Sequence, residues 1–233
     1  MKEKQDMKLL REYIREILLT EVAKGPQDLP DHMRVEIKSG GDYFTVTLMG
    51  TVADPRLDDP TAKERLLGTL SAKHTGHEAL CMGAYIIDWA NVSSLIREEG
   101  WGPMIYDVAM EYATSKGSGL MSDRSDVSSD AFGVWQYYAD QRGDVEKVQM
   151  DDVDDRLTPD ITYDNCEQAS VYADANLPGS TTSQSGEWHE EVDGPWDPRG
   201  KDILLNHPLS KMYKAKGTPT ISELESLGKL EMK

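Results

Sequence analysis

Six consecutive residues, Arg97 to Gly102, have the types and spacing of a loop that binds an anion. Gly100 and Gly102 lack a Cβ atom, so the backbone can turn sharply there and approach a ligand closely. A helix that begins directly after such a loop points its first, unpaired N–H groups towards the anion. The Arg97 guanidinium group can bind two phosphate oxygens at once. The loop therefore predicts a pyrophosphate site, formed by Arg97, Glu99, Gly100, Trp101, Gly102, Pro103 and Met104.

The segments on both sides of this loop predict the elements that hold it in place. Residues 79–90 (ALCMGAYIIDWA) are mainly apolar, with β-branched and aromatic side chains, which is typical of a buried strand. Residues 103–113 place apolar side chains at helical spacing, and Pro103 stands where the first turn of a helix tolerates proline. The predicted local order is strand, glycine loop and helix.

The pattern Arg-x-x-Gly-x-Gly between a strand and a helix resembles the acyl-CoA-binding signature of the GNAT superfamily of N-acetyltransferases. The chain continues in that family's order, with a strand at 119–123, a helix at 131–139 and a returning strand at 145–148. The resemblance covers residues 33–150. It implies an α/β (α+β) domain with a mixed, mostly antiparallel central sheet flanked by helices, and acetyl-CoA as the cosubstrate. The acceptor would be an amine of a small molecule or a protein.

The resemblance also implies a general base and a proton donor. Asp88, near the end of the apolar strand and expected to be partly buried, is the first candidate for the base, and Glu78 is the second. In this family a tyrosine on the later helix commonly protonates the leaving thiolate. Alignment places Trp135 there, and an indole N–H has no useful acidity. Tyr138, less than one turn away, is the candidate acid, and Tyr137 beside it could also reach the sulfur. The alternative for Asp88 is a hydrogen-bonded carboxylate at a strand end.

The amino-acid composition limits the kinds of binding partner that the chain can have. Lysine and arginine number 25 against 42 aspartates and glutamates, so the formal net charge is −17. Such a chain repels phosphates, which argues against a general nucleic-acid surface or an anionic membrane surface. No apolar run is long enough to span a bilayer. Cys81 and Cys166 are expected to be reduced thiols of a cytoplasmic protein.

Residues 7–21 predict an amphipathic helix, with Leu10, Ile14 and Ile17 on its apolar face. A helix this short must pack onto something, which could be its own domain, a second copy in a homo-oligomer, or another protein. The segment also resembles amphipathic leaders on virion proteins of tailed bacteriophages, some of which are cut after a glutamate, as in Leu19-Thr20-Glu21. This resemblance implies docking onto virion proteins, in the host cytoplasm or the virion.

No metal site is expected from the two segments richest in ligand-type residues. His74 and His77 beside Glu78 are more typical of a polar turn, since no further ligand lies nearby in sequence. Residues 151–155 form an acidic run that lacks the alternating ligands, glycine turn and terminal glutamate of a calcium loop. The run therefore predicts a solvated acidic face.

The remaining segments predict simpler elements. Residues 33–49 alternate around a glycine turn and predict a β-hairpin, and residues 66–72 predict another strand. The polar 177–199 segment, which contains two tryptophans, could cover the acceptor site or brace the domain. Residues 206–215 and 220–228 predict two helices.

The sequence thus favours three parts, which are an N-terminal helix or leader (1–25), an acetyltransferase-like domain (33–150) and a C-terminal acidic and helical extension (151–233). Three functions stay open. The chain is an acetyltransferase, a phage virion or assembly protein that uses an inactive domain of this fold as scaffold, or an acidic decoy that imitates DNA.

Overall fold

The computed structural model describes residues 23–53, 61–76, 81–96, 99–123, 127–152, 157–158, 164–166 and 205–233. These residues form a mixed, mostly antiparallel sheet of eight strands, three α-helices and a separate pair of short strands. The expected class, α/β with a mostly antiparallel central sheet, is therefore confirmed. Among the described helices, none is long and apolar enough to cross a membrane.

The first four strands follow one another along the chain and pair antiparallel. They are β1 (Met33–Gly40), β2 (Tyr43–Val52), β3 (Lys63–His74) and β4 (Tyr85–Val92). Gly41 joins β1 to β2 with a φ angle of 60°, a conformation that a tight hairpin turn requires and that favours glycine. Strand β1 pairs antiparallel with β2 from Met33 to Gly40, so the predicted hairpin is confirmed, as is the third strand. Alternate side chains of β2 are buried.

The strand predicted over 79–90 begins later than expected. Cys81–Gly83 forms a short 3-10 turn, in which Cys81 and Met82 have φ angles of 51° and 54°. Side chains with a Cβ atom rarely adopt positive φ, so this turn is a strained change of direction rather than extended strand. The strand proper starts at Tyr85, which is the first residue paired with β3.

The second half of the predicted domain has the expected order. Helix α1 (Gly102–Lys116) leads to strand β5 (Leu120–Met121), then to helix α2 (Ser129–Asp140) and strand β6 (Val145–Gln149). The Ser128 hydroxyl accepts a 3.3 Å hydrogen bond from the N–H of the third residue after it and caps α2. The predicted helices at 103–113 and 131–139 and the strands after them are confirmed.

The C-terminal part contributes more strands than helices. Strand β7 (Asp151–Asp152) pairs in parallel with β8 (Asn165–Cys166), and strand β9 (Lys211–Ala215), helix α3 (Pro219–Ser226) and strand β10 (Leu230–Met232) follow. The order of the large sheet is β10-β1-β2-β3-β4-β5-β9-β6. Both β9 and β10 therefore belong to the central sheet.

The helix predicted over 206–215 is wrong. Pro208–Ser210 forms a 3-10 turn, and the next five residues form β9. In β9, Met212 and Tyr213 are both fully buried, but on opposite faces of the sheet. The strand fills the space between β5 and β6, where it supplies backbone partners to both. This tertiary pairing overrides the local helical spacing.

Apolar side chains pack on both faces of the sheet. The main core lies between the sheet and the three helices, and its largest members include Trp101, Trp135 and Tyr138. A smaller core covers the opposite face of β5 and β9, and contains a disulfide between Cys81 and Cys166. The expectation of two reduced thiols is therefore wrong, because the fold brings together cysteines that are 85 residues apart in sequence.

Several predictions fall on residues outside the described part of the chain. They concern the helix at 7–21, the 177–199 segment, Arg97, His77 and Glu78.

Candidate functional site

Strands β4 and β5 pair in parallel only at the start of β4, because β5 ends after two residues. Their parallel pairing consists of two residue pairs, Tyr85 with Leu120 and Ile86 with Met121. Strand β4 continues for six more residues, to Val92, without a described partner strand on this edge. Its N–H and C=O groups there can pair with an extended ligand, as an edge strand pairs with an added strand.

A β-bulge lies in this part of β4, on the edge that pairs with β3. Ser71 of β3 pairs with Trp89, whereas the next residue of β3 pairs with Ile87, so Asp88 has no partner opposite. A bulge bends the strand and redirects side chains, and bulges are common next to active sites. Asp88 is exposed, so the partial burial expected for it is wrong. Trp89 beside it has 60% of its surface exposed.

The glycine loop follows β4 and is held by its own aromatic residue. Gly100 has a φ angle of 83°, which only glycine adopts without strain. Trp101 is buried, and its indole N–H donates a 3.1 Å hydrogen bond to Glu99 Oε2. Trp101 therefore anchors the loop to the core.

Lys24 contacts the loop, and no sequence pattern pointed to this contact. Its backbone N–H donates a 3.0 Å hydrogen bond to the carbonyl oxygen of Gly100. Its Nζ atom lies 4.5 Å from the centre of the Trp101 ring and 3.5 Å from Glu99 Oε2. Lys24 is distant in sequence, so only the fold places its positive charge here.

Helix α1 starts at the end of the loop with two free donors. Gly102 and Met104 are in its first turn, and no described residue accepts from their backbone N–H groups. Pro103 between them has no N–H to donate. A Cβ atom built on Gly102 would meet nothing within 4 Å, so open space lies in front of this turn. The arrangement is that of an anion site at a helix N-terminus.

A cavity of about 630 Å³ adjoins the loop. It lies at the ends of β1, β2 and β4, and its wall combines apolar side chains with Glu99. The lining includes Pro30, His32, Met33, Val52 and Leu95. The volume is within the range of small-molecule sites, but the cavity is an open cleft rather than an enclosed pocket.

Tyr138 lies in a closed hydrogen-bond network between α1 and α2. Its ring is fully buried, and its hydroxyl group donates to Asp107 Oδ1 at 2.8 Å and lies 3.4 Å from the carbonyl oxygen of Pro103. Arg142 donates to both oxygens of the same carboxylate. Burial, followed by the charge of Asp107, raises the pKa of Tyr138 well above its usual value. Its proton is therefore held tightly.

Trp135 also belongs to the core. Its ring is 1% exposed and lies 5.0 Å from that of Tyr213 and 5.7 Å from that of Tyr106, measured between ring centres. The Tyr106 hydroxyl has no hydrogen-bond partner among the described residues, and burial raises its pKa. Tyr106 is a phenol that the sequence analysis missed, because it occupies an ordinary apolar position of the predicted helix.

Asp88 therefore lies in β4, ahead of the β4–α1 connection, and the Gly100 to Gly102 turn lies at the end of that connection, where α1 starts. Tyr138 reaches the first turn of α1 but is sealed from solvent. Comparisons with protein-family models, with curated proteins and with solved structures found no match for this chain.

Proposed function

We propose that this chain binds acetyl-CoA in a GNAT-like fold and transfers the acetyl group to an amine of a small molecule or a protein. One observation carries the proposal. Strand β4 has a bulge and, after Ile86, no described partner strand on one edge; the connection that follows β4 ends in a glycine turn and a helix start with free N–H groups. This combination suits an extended arm that ends in a pyrophosphate.

The connectivity of the sheet supports a GNAT-like fold. Four antiparallel strands precede the loop, and β5 returns parallel to β4 after α1. Helix α2 and the returning strand β6 follow in the order that the resemblance implies. Under the proposal, the open edge of β4 pairs with the amide groups of the pantetheine arm, and the loop with its helix start binds the pyrophosphate.

The proposed reaction is a direct attack. The amine nitrogen bonds to the thioester carbonyl carbon, the carbon–sulfur bond breaks, and Asp88 accepts the proton that the amine loses. Exposure of Asp88 lets a solvated amine reach it. The thiolate that leaves must take up a proton. Tyr138 can supply it only if its bond to Asp107 opens, and water is the other source, since a thiol near its ordinary pKa of about 8.5 is a good leaving group at neutral pH.

The net charge of −17 opposes an anionic cosubstrate. Hydrogen-bond donors and cations at the site must therefore attract the phosphates more strongly than the net negative charge of the chain repels them. The N–H groups of Gly102 and Met104 are free donors at the helix start, and Lys24, which is ion-paired with Glu99, adds a positive charge beside the loop. Arg97, in the loop, is the further cation that the sequence offers.

Calorimetric titration with acetyl-CoA tests the proposal. Wild-type chain should bind one equivalent, and Gly102→Glu should abolish binding, because the new carboxylate would occupy the anion site. The substitution should not disturb folding, since the space at Gly102 is open. Gly143→Glu is the matched control. It adds the same charge at another open glycine, and it should bind like wild type. Absence of binding by wild type would refute the proposal.

A second candidate function retains the GNAT-like fold but has no catalytic activity. In it, the chain is a bacteriophage virion or assembly protein that uses an inactive GNAT-like domain as scaffold and docks through residues 1–25. Burial of both Trp135 and Tyr138 favours it, because neither side chain presents an acidic proton to solvent. This candidate predicts no turnover with any amine and predicts the chain in purified virions by mass spectrometry.

A further inference from the structure

The face of the sheet that is turned away from the three described helices has a centre without charged side chains. Side chains of β2 alternate, and those that point away from the main core continue onto β3 and β4 through cross-strand pairs. We call this surface the outer face. Its central residues are Thr45, Thr47, Met49, Leu66, Thr69, Ser71, Trp89 and Asn91. None of them carries a charge, although charged residues make up 29% of the chain.

Large apolar side chains of the outer face are exposed to solvent. Trp89 has 60% of its surface exposed, Leu66 has 54%, and Tyr43, at one end of the same face, has 58%. Neither apolar core of the described residues includes these three side chains or Met49. A contiguous exposed surface of this kind marks an interaction site.

Short polar side chains form the middle of the outer face. The hydroxyl groups of Thr45 and Ser71 hydrogen-bond to each other at 3.2 Å, and Thr47 lies opposite Thr69 in the next row. Polar groups that already have a partner lose less when water is removed. Few charges, together with aromatic and methionine side chains, are typical of the centre of an interface between protein chains.

We propose that the outer face binds the same face of a second copy of this chain, which forms a two-fold symmetric dimer of packed sheets. Charge selects this partner. Two chains of net charge −17 repel each other least where both surfaces are uncharged, and the outer face supplies such a surface to each copy. A strongly acidic or basic partner would instead bury its charges against uncharged side chains, which is unfavourable.

The charged ends of the outer face fit this arrangement. Lys38 and Lys73 lie at the end near the Gly41 turn. At the other end, glutamates outnumber the cations with which they pair, in a cluster of Arg34, Glu36, Glu64, Glu231 and Lys233. A two-fold axis that lies between the two faces and runs across the strands places the Lys73 end of one copy over the Glu64 end of the other.

The size of the outer face predicts a reversible dimer. Strand spacing and rise give a surface of roughly 19 Å across four strands and roughly 27 Å along them. Two such faces bury about 1,000 Å², at the low end of specific interfaces. The dimer should therefore dissociate on dilution. It does not depend on the proposed acetyl-CoA cleft, so a chain that fails to bind acetyl-CoA should still form it.

Sedimentation velocity of the full chain over a range of concentrations tests the proposal. Wild type should change from monomer to dimer as its concentration rises through the micromolar range. Thr69→Glu places like charges in the middle of the interface and should weaken dimerisation by roughly tenfold or more. Ser226→Glu adds the same charge at an exposed position of α3, on the opposite side of the sheet, and should dimerise like wild type.

A second matched pair removes apolar surface instead of adding charge. Leu66 and Leu227 are both exposed leucines, but only Leu66 lies on the outer face. Leu66→Ser should weaken the dimer and Leu227→Ser should not, and neither should disturb folding. A wild type that stays monomeric would overturn the proposal. Equal weakening by Thr69→Glu and Ser226→Glu would attribute the effect to net charge and would also overturn it, as would a dimer that neither Thr69→Glu nor Leu66→Ser weakens.

Discussion

The hydroxyl group of Tyr138 donates a 2.8 Å hydrogen bond to Oδ1 of Asp107, which joins α2 to α1. Arg142 completes the contact with bonds of 3.0 and 3.2 Å to the two oxygens of Asp107. The three side chains form a partly buried bridge just behind the helix start that the proposed pyrophosphate would contact. This position gives Tyr138 a structural role that the resemblance did not imply.

Tyr138→Phe should destabilise the fold and leave acetyl-CoA affinity unchanged. Loss of a hydrogen bond to a charged acceptor lowers the free energy of unfolding by about 1.5–3 kcal/mol, measured by urea denaturation. Tyr137→Phe, at the half-buried neighbour, should have little effect. A variant of normal stability that loses amine-dependent turnover would instead make Tyr138 the catalytic acid.

Asp88→Asn should separate binding from transfer. An amide cannot accept the amine proton, so we expect turnover to fall by roughly 10²- to 10⁴-fold while acetyl-CoA still binds. Thiol release in the presence of primary amines and lysine peptides measures the rate, and calorimetry measures the affinity. Asp42→Asn serves as the control for charge. Unchanged turnover in Asp88→Asn would exclude Asp88 as the base.

Reduction of the Cys81–Cys166 disulfide should destabilise the chain. A cross-link over 85 residues restricts the unfolded chain, and its loss lowers the free energy of unfolding by about 2–4 kcal/mol. Denaturant unfolding with and without dithiothreitol measures the difference, and the double variant Cys81→Ala/Cys166→Ala should not respond to reductant. Thiol titration of denatured, non-reduced protein should find no free thiol; detection of both would contradict the pairing.

Glu111 should make stability depend on pH in a direction unusual for a carboxylate. It lies buried in α1 and accepts 2.8 Å hydrogen bonds from the backbone N–H groups of Thr220 and Ile221, which open α3. Burial outweighs these bonds and raises its pKa above the ordinary 4.5. The folded chain therefore binds this proton more tightly than the unfolded chain. The stability that Glu111 contributes is full below pH 4.5 and is lost as pH rises through the folded pKa.

A comparison of wild type with Glu111→Gln isolates this effect. The free energy of unfolding of wild type, relative to that of Glu111→Gln, should decrease as the pH rises from below 4.5 to neutral. The decrease should be about 1.4 kcal/mol for each unit by which folding raises the pKa of Glu111. Glu225→Gln, on the exposed side of α3, should show no such trend. A difference that is constant across this range would mean that burial does not perturb Glu111.

Local patterns were sufficient to predict most elements but only part of the candidate site. The loop predicted from Gly100 and Gly102 precedes a helix, as expected, because glycine spacing and apolar periodicity act within a few residues. The bulge at Asp88 depends on how β3 pairs with β4, and the position of Lys24 depends on a contact across the chain. Neither feature can be predicted from the residues next to it in sequence.

The sequence by itself determined the hairpin of β1 and β2, the strand, loop and helix around Gly102, and the acidity of the chain. These features follow from side-chain period, from backbone freedom at glycine and from composition. Only the tertiary structure decided that β9 enters the sheet between β5 and β6, that Cys81 meets Cys166, and that Tyr138 is buried. A periodic pattern specifies which face of an element is apolar, but the partner of that face is chosen by packing over the whole chain.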